Sequence, residues 1–146
     1  MKSQKHMELG RAGEEAAVNH LRRLGWRILH RNWRPEGAHA GLEIDIVART
    51  KNELIFVEVK TRSSHEAGAE IEDGIPVYAA FTPRKVTALG KAAGRYLTAH
   101  ELWDVPCRFD LICILQLPDS SKLEHYKNVI ELGHLVGSGD AAWQPW

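Results

Sequence analysis

Gly41-Leu42-Glu43-Ile44-Asp45 and, a short connection later, Phe56-Val57-Glu58-Val59-Lys60 place an Asp, a Glu and a Lys on stretches that otherwise read as buried strands. Leu42 to Arg49 and Leu54 to Lys60 both alternate with period two, and Thr50-Lys51-Asn52-Glu53 between them is a short polar turn. Together they predict a β-hairpin. Leu42, Ile44, Ile46 and Ala48 are expected on one face of its first strand, and Ile55, Val57 and Val59 on one face of its second. With Lys51-Asn52 as a two-residue loop, Asp45 lies opposite Glu58 and Glu43 lies opposite Lys60.

Cross-strand neighbours have Cβ atoms about 5 Å apart. Two ionised carboxylates at that distance repel by roughly 3 kcal/mol at an effective dielectric of about 20. A shared proton, a nearby cation or a metal must relieve that repulsion. Mg²⁺ takes oxygen ligands, commonly one or two carboxylates with substrate phosphate oxygens, and the Val59 carbonyl could add another ligand. Lys60 follows Glu58 on the same face, about 7 Å along the strand. There it could orient or deprotonate an attacking water, or stabilise charge developing on a phosphate. The alternative is that Glu43, Asp45, Glu58 and Lys60 are simply the solvated face of a hairpin.

Outward from the hairpin, Lys5 to Leu24 reads as a helix, with Leu9, Ala12, Ala16, Ala17, Leu21 and Leu24 at helical spacing and Gly25 as its stop. Glu14 shares a row with Gly10, Ala17 and Leu21, so it could reach the Asp45/Glu58 site from the core-facing side; Glu15, Asn19 and Arg22 form a solvated row. Trp26 to Trp33 reads as a strand and Arg34 to Gly41 as a loop. Residues 61–80, with an acidic run at Glu70, Glu72 and Asp73, read as a mobile loop beside the site. Thr82-Pro83 marks a helix start, and Val86, Leu89, Ala93, Tyr96 and Leu97 face inward along a helix to about His100. Arg108 to Leu117 and Leu123 to Leu132 complete the strands, and a Gly/Ser/Ala-rich tail ends in Trp143 and Trp146. The order α-β-β-β-α-β-β predicts a mixed sheet flanked by helices, an α/β or α+β domain over residues 1–132, with 133–146 as a flexible tail.

The 146 residues, 44% hydrophobic and 26% charged, fit one ordinary globular domain. No apolar run approaches the roughly 20 residues that span a bilayer, and MKSQKHMELGR lacks the apolar core of a signal peptide, so a cytoplasmic location without membrane association is expected. Cys107 and Cys113 share one strand at a separation of roughly 20 Å, too far for a disulfide. The eight histidines form no metal-binding pattern and read as surface or satisfied core residues. Net charge is zero, which by itself gives no support to nucleic-acid binding. Residues 1–62, however, hold twelve Lys and Arg against eight Asp and Glu, whereas 63–146 hold seven against eleven. The carboxylate site thus lies in the basic half, as a metal-dependent nuclease would need.

The stretches Gly10–Ala17, Leu24–Arg34, Glu43-Ile44-Asp45, Phe56–Arg62 and Arg108-Phe109-Asp110, taken in order, resemble the YraN-type family of bacterial proteins. That family is assigned to the restriction-endonuclease-like PD-(D/E)xK superfamily and is similar in motif order to Holliday junction resolvases. The resemblance covers about residues 8–132. It implies a restriction-endonuclease-like fold in which Glu14, Asp45 and Glu58 hold Mg²⁺ or Mn²⁺ and Lys60 is catalytic, with Glu43 as an accessory acid. It also implies that Thr61, Arg62 and Lys85 contact nucleic acid and that Arg108 and Asp110 are structural. One departure from the family pattern is Leu42, which separates Gly41 from Glu43. The implied activity is hydrolysis of DNA phosphodiester bonds, in branched or damaged DNA. By analogy with resolvases a two-fold homodimer is implied as well, because a junction offers two symmetric cut sites. Two rivals remain open: a non-catalytic module that binds nucleic acid or a partner while keeping the nuclease fold, and an adaptor that docks through Trp33, Trp103 and the C-terminal tryptophans.

Overall fold

The computed structural model describes residues 4–37, 41–63 and 81–130. Of the loop expected over 61–80, residues 61–63 instead extend β3, and 64–80 lie outside the described residues, as do the expected tail over 133–146 and its Trp143 and Trp146. The elements are α1 (Gln4–Arg23), β1 (Arg27–Trp33), β2 (Ile44–Arg49), β3 (Leu54–Ser63), α2 (Pro83–Ala99), β4 (Cys107–Gln116) and β5 (Ser121–Tyr126), in the predicted order. The strands form one five-stranded mixed sheet in the order β1-β2-β3-β4-β5. All neighbours are antiparallel except β3 and β4, which run parallel. A parallel pair needs a crossover connection, and α2 lies within it. No helix among the described residues is long and apolar enough to cross a membrane.

Local chemistry sets the element ends. The β2–β3 turn closes with the Thr50 N–H donating to the Glu53 carbonyl at 2.9 Å and the Glu53 N–H donating to Thr50 Oγ1 at 3.0 Å. Thr82 caps α2 by accepting from the Lys85 N–H at 3.2 Å, with Pro83 in the first turn. α1 stops at Gly25, whose φ of 84° favours glycine and lets the Trp26 N–H reach back to the Leu21 carbonyl.

The helices cover opposite faces. Ala17, Val18 and Leu21 of α1 pack on Ile46, Ala48, Ile55, Val57, Ile112 and Ile114. Leu89, Ala92, Ala93, Tyr96 and Leu97 of α2 pack on Val47, Leu54, Phe56 and Phe109. Two sequence expectations are corrected here. Ala12 and Leu24 are exposed rather than inward, and the buried row of α1 is Gly13, Ala17, Val18 and Leu21. Close approach to β3 sets the row: a Cβ on Gly13 would lie 2.0 Å from Thr61 Oγ1, so only glycine allows α1 this near. Leu42 and Ile44 do not share a face with Ile46 and Ala48; they join the α2 cluster. The alternation breaks where the regular β2–β3 ladder ends, at Ile46 and Val57.

The α1 side of the sheet also holds Asp110, a buried carboxylate with 0% exposure. Its Oδ1 accepts from Arg108 Nε at 3.0 Å and from the Asn128 N–H at 2.9 Å; its Oδ2 accepts from His125 Nε2 at 2.9 Å and Arg108 Nη2 at 3.3 Å. Burial alone would raise the Asp110 pKa, but these donors outweigh it and lower it. Arg108 also reaches Glu53 Oε1 at 3.0 Å and lies over the Trp26 ring, and His125 Nδ1 lies 3.1 Å from His20 Nε2. Arg108 and Asp110 are therefore a structural pair.

Gly13→Ala should lower stability by about 1–3 kcal/mol, the usual cost of overpacking, read by urea denaturation. Thr61→Ala in the same chain should recover part of the loss, because it removes the clashing Oγ1. Equal stability of Gly13→Ala and the parent would show that the helix does not need this approach.

Candidate active site

The β2–β3 register is the predicted one, with Arg49 opposite Leu54 and Ile46 opposite Val57. Continued, it would put Asp45 opposite Glu58 and send the Val59 N–H to the Ile44 carbonyl. That N–H instead donates to Asp45 Oδ2 at 2.9 Å. The side chain of Asp45 takes over a backbone bond, the strands part, and a gap opens at the end of the sheet. Glu43 consequently does not face Lys60 in the ladder; its Oε2 accepts from Arg34 Nη2 at 2.9 Å.

Asp45 and Glu58 are brought together in this gap. Burial, then the Glu58 charge, then the more distant Glu14 charge push the Asp45 carboxyl up to about 8, against the opposing pull of the Val59 N–H. Near neutral pH the site therefore holds a proton at Asp45. The Glu58 side chain is 12% exposed, and its Oε1 lies 3.0 Å from Lys85 Nζ. Its Oε2 is buried and, among the described residues, only the proton held by Asp45 is available to bond Glu58 beyond Lys85. Burial would lower the Lys85 pKa, but Glu58, Asp45 and Glu43 outweigh it and raise it. Lys85 is thus an ion-pair partner of the site, a role its place in the sequence does not suggest.

The other candidates are placed less centrally. Glu14 is half-buried; its Oε2 accepts from Asn32 Nδ2 at 3.1 Å, so it approaches the pair without closing a three-ligand set. Among the described residues no group of three His, Cys, Asp or Glu side chains is close enough to hold a metal ion. Lys60 is half-buried on the Glu58 face of β3, level with Cys113 of β4. Thr61 turns to the opposite face, against Gly13, and Arg62 sits half-buried near the end of β3. Trp33 and Trp103 are partly buried against the α2 core, and Trp103 Nε1 donates to Thr98 Oγ1 at 2.9 Å, which leaves neither as a free docking ring.

The donor chemistry fits a hard divalent cation. Two carboxylates from adjacent strands converge, and every ligand atom they offer is oxygen. Asp45 and Glu58 could hold such an ion, with water and a substrate phosphate completing its shell.

The model of the Uncharacterised protein family UPF0102 matches residues 13–114, which span Glu14, Asp45, Glu58, Lys60 and Lys85. The chain belongs to this family. A UPF0102 protein of Nitratidesulfovibrio vulgaris is 41% identical over 137 residues, covering 94% of each chain. A Lawsonia intracellularis relative is 38% identical over 142 residues, covering 97% of this chain and 99% of its own. One from Geobacter sulfurreducens is 44% identical over 127 residues, covering 86% and 91%. The UPF0102 description carries no activity, so chemistry has to come from the site itself.

The Asp45 shift has a thermodynamic sign. The unfolded carboxyl releases its proton near pH 3.9, whereas the folded one holds it to about 8. Between these values the folded state binds more protons, so this group lowers stability as pH rises through that window. Asp45→Asn should therefore be more stable than the parent in EDTA, by a margin that grows from about pH 4 to about pH 8 and then levels off. Urea denaturation across that range checks it; a pH-independent margin would remove the buried-proton reading.

Proposed function

We propose that this UPF0102 protein is a Mg²⁺- or Mn²⁺-dependent endonuclease that hydrolyses DNA phosphodiester bonds, with branched or damaged DNA as the substrate class. The observation that carries this reading is the pair of carboxylates, Asp45 and Glu58, that face each other with little solvent access at the parted end of two strands. Holding two carboxylates together away from water is costly. Such a cost is expected where the group serves a ligand.

Each residue then has a task. Asp45, once deprotonated, and Glu58 would hold the cation, while Lys85 fixes Glu58 through Oε1. Glu14 adds negative field from α1 and is within electrostatic reach of Asp45. When bound, the metal supplies a Lewis acid and a water of lowered pKa. Lys60, on the Glu58 face, would stabilise charge developing on the phosphate or orient the attacking water. Cutting a symmetric junction would call for two copies related by a two-fold axis.

One observation favours the rival, a module that binds nucleic acid without cutting it. The Lys85–Glu58 pair and the proton at Asp45 already balance much of the charge without a metal. The two readings part in one assay: four-way-junction, flap and linear DNA with Mg²⁺, Mn²⁺ or EDTA. For the nuclease, cutting should require metal and fall by about 10²-fold or more in Lys60→Ala and Asp45→Ala. Binding that survives Asp45→Ala, with no cutting by the parent, selects the module. Calorimetric titration of metal should show binding lost in Glu58→Ala; unchanged binding would sink the ligand set.

A further inference from the structure

α2 carries Arg84, Lys85, Lys91 and Arg95 and no carboxylate over its seventeen residues. This helix lies in the half of the chain with the acidic excess, yet holds four of its seven cations and none of its eleven acids. The cations are sorted by face. At about 100° per residue, Lys85 is turned from Arg84 toward the sheet, where it meets Glu58. Arg84, Lys91 and Arg95 return to a single outer row, with Thr87 and Ala88 between them. All three row cations are exposed, and none has a carboxylate partner among the described residues. Like charges four residues apart, as in Lys91 and Arg95, disfavour a helix. α1 shows the usual alternative, with Glu8, Glu14 and Glu15 set among Lys5, Arg11, Arg22 and Arg23.

The row is also one wall of a cavity. Arg84, Thr87, Lys91 and Arg95 line an open groove of about 700 Å³. Leu42, three residues before Asp45, forms part of its other side. The groove thus lies beside the parted end of β2 and β3, and the row extends about 16 Å along it at 1.5 Å per residue. That reach matches several phosphates of a nucleic-acid strand, which advance about 3.4 Å each along the duplex axis.

We propose that the outer face of α2 is a phosphate track, with Arg84, Lys91 and Arg95 holding the backbone of the DNA strand that passes the Asp45–Glu58 site. This rests on the reading of that site as a phosphodiester site and adds how the strand is held. An anionic membrane would also attract cations, but surface-lying helices insert an apolar face. The apolar face of α2 is buried in the core, and among the described residues the large exposed hydrophobics, Met7 and Leu24, lie at α1 and its end.

The test measures binding of the full chain to a fluorescently labelled DNA duplex by anisotropy, in EDTA, over a range of salt concentrations. Circular dichroism confirms that each variant is folded. The triple variant Arg84→Gln/Lys91→Gln/Arg95→Gln should bind at least tenfold more weakly. The slope of log K against log salt should shrink by about 2–3, at about 0.9 for each phosphate that is no longer neutralised. The matched α1 variant Arg11→Gln/Arg22→Gln/Arg23→Gln should change both much less. Equal losses in the two variants, no loss in the α2 variant, no binding by the parent, or binding to phosphatidylserine vesicles but not to duplex would each overturn the track. The cleavage assay separates the two ideas. Metal-dependent cutting with an unaltered α2 variant retains the nuclease and removes the track. An α2-specific loss of binding in a protein that cuts nothing retains the track and removes the nuclease.

Discussion

A single backbone N–H decides where this molecule opens. At the end of the β2–β3 hairpin a regular ladder would send the Val59 N–H to the Ile44 carbonyl, in competition with the Asp45 carboxylate. The N–H goes to Asp45. Closing the ladder would press Asp45 and Glu58 together between two strands; parting it gives them a shared space with a proton and Lys85. The same departure turns Leu42 and Ile44 toward α2 and releases Glu43 to Arg34. Site and local fold are thus one solution to the same electrostatic conflict.

Much of this was legible in the sequence. The turn chemistry of Thr50 and Glu53, together with period-two alternation, fixed the register that makes Asp45 and Glu58 neighbours, because register is a local property of a tight hairpin. Thr82-Pro83 announced the start of α2 for similarly local reasons. What escaped was set by packing between distant segments. The face of α1 depends on Gly13 meeting Thr61, and alanines on either side of the helix give no preference of their own. Lys85 is expected only as a nucleic-acid contact, because nothing in its neighbourhood of sequence points to Glu58. The partners of Asp110 were hidden likewise: an acid inside an apolar strand signals that donors must exist, but His125 and Asn128 are identified only once β5 is in place.

Charge distribution follows the same division between chain and fold. A net charge of zero, and a basic first half, describe the chain as a string. In three dimensions five carboxylates of the described segments have cationic partners: Glu15 with Arg31, Glu43 with Arg34, Glu53 and Asp110 with Arg108, Glu58 with Lys85. The unmatched positive charge on α2 belongs to the half that counts as acidic.

The Asp110 cluster has a consequence for how the chain finds this sheet. The parallel β3–β4 alignment is the pairing with no turn to measure it out, since its strands are joined by a long crossover. Sliding β4 by one residue would rotate every side chain to the other face. Asp110 would then turn into the apolar α2 layer beside Phe56 and Tyr96, and Arg108 and His125 would go with it and lose Glu53, Trp26 and His20 on the α1 side. A stranded ionic group is among the most heavily penalised outcomes in a protein interior. Apolar residues such as Leu111 and Ile112 would tolerate the slip far better, because both layers are greasy. Asp110 therefore works as a ruler, rejecting misaligned sheets during the slow, non-local stage of assembly that hydrophobicity alone would let pass.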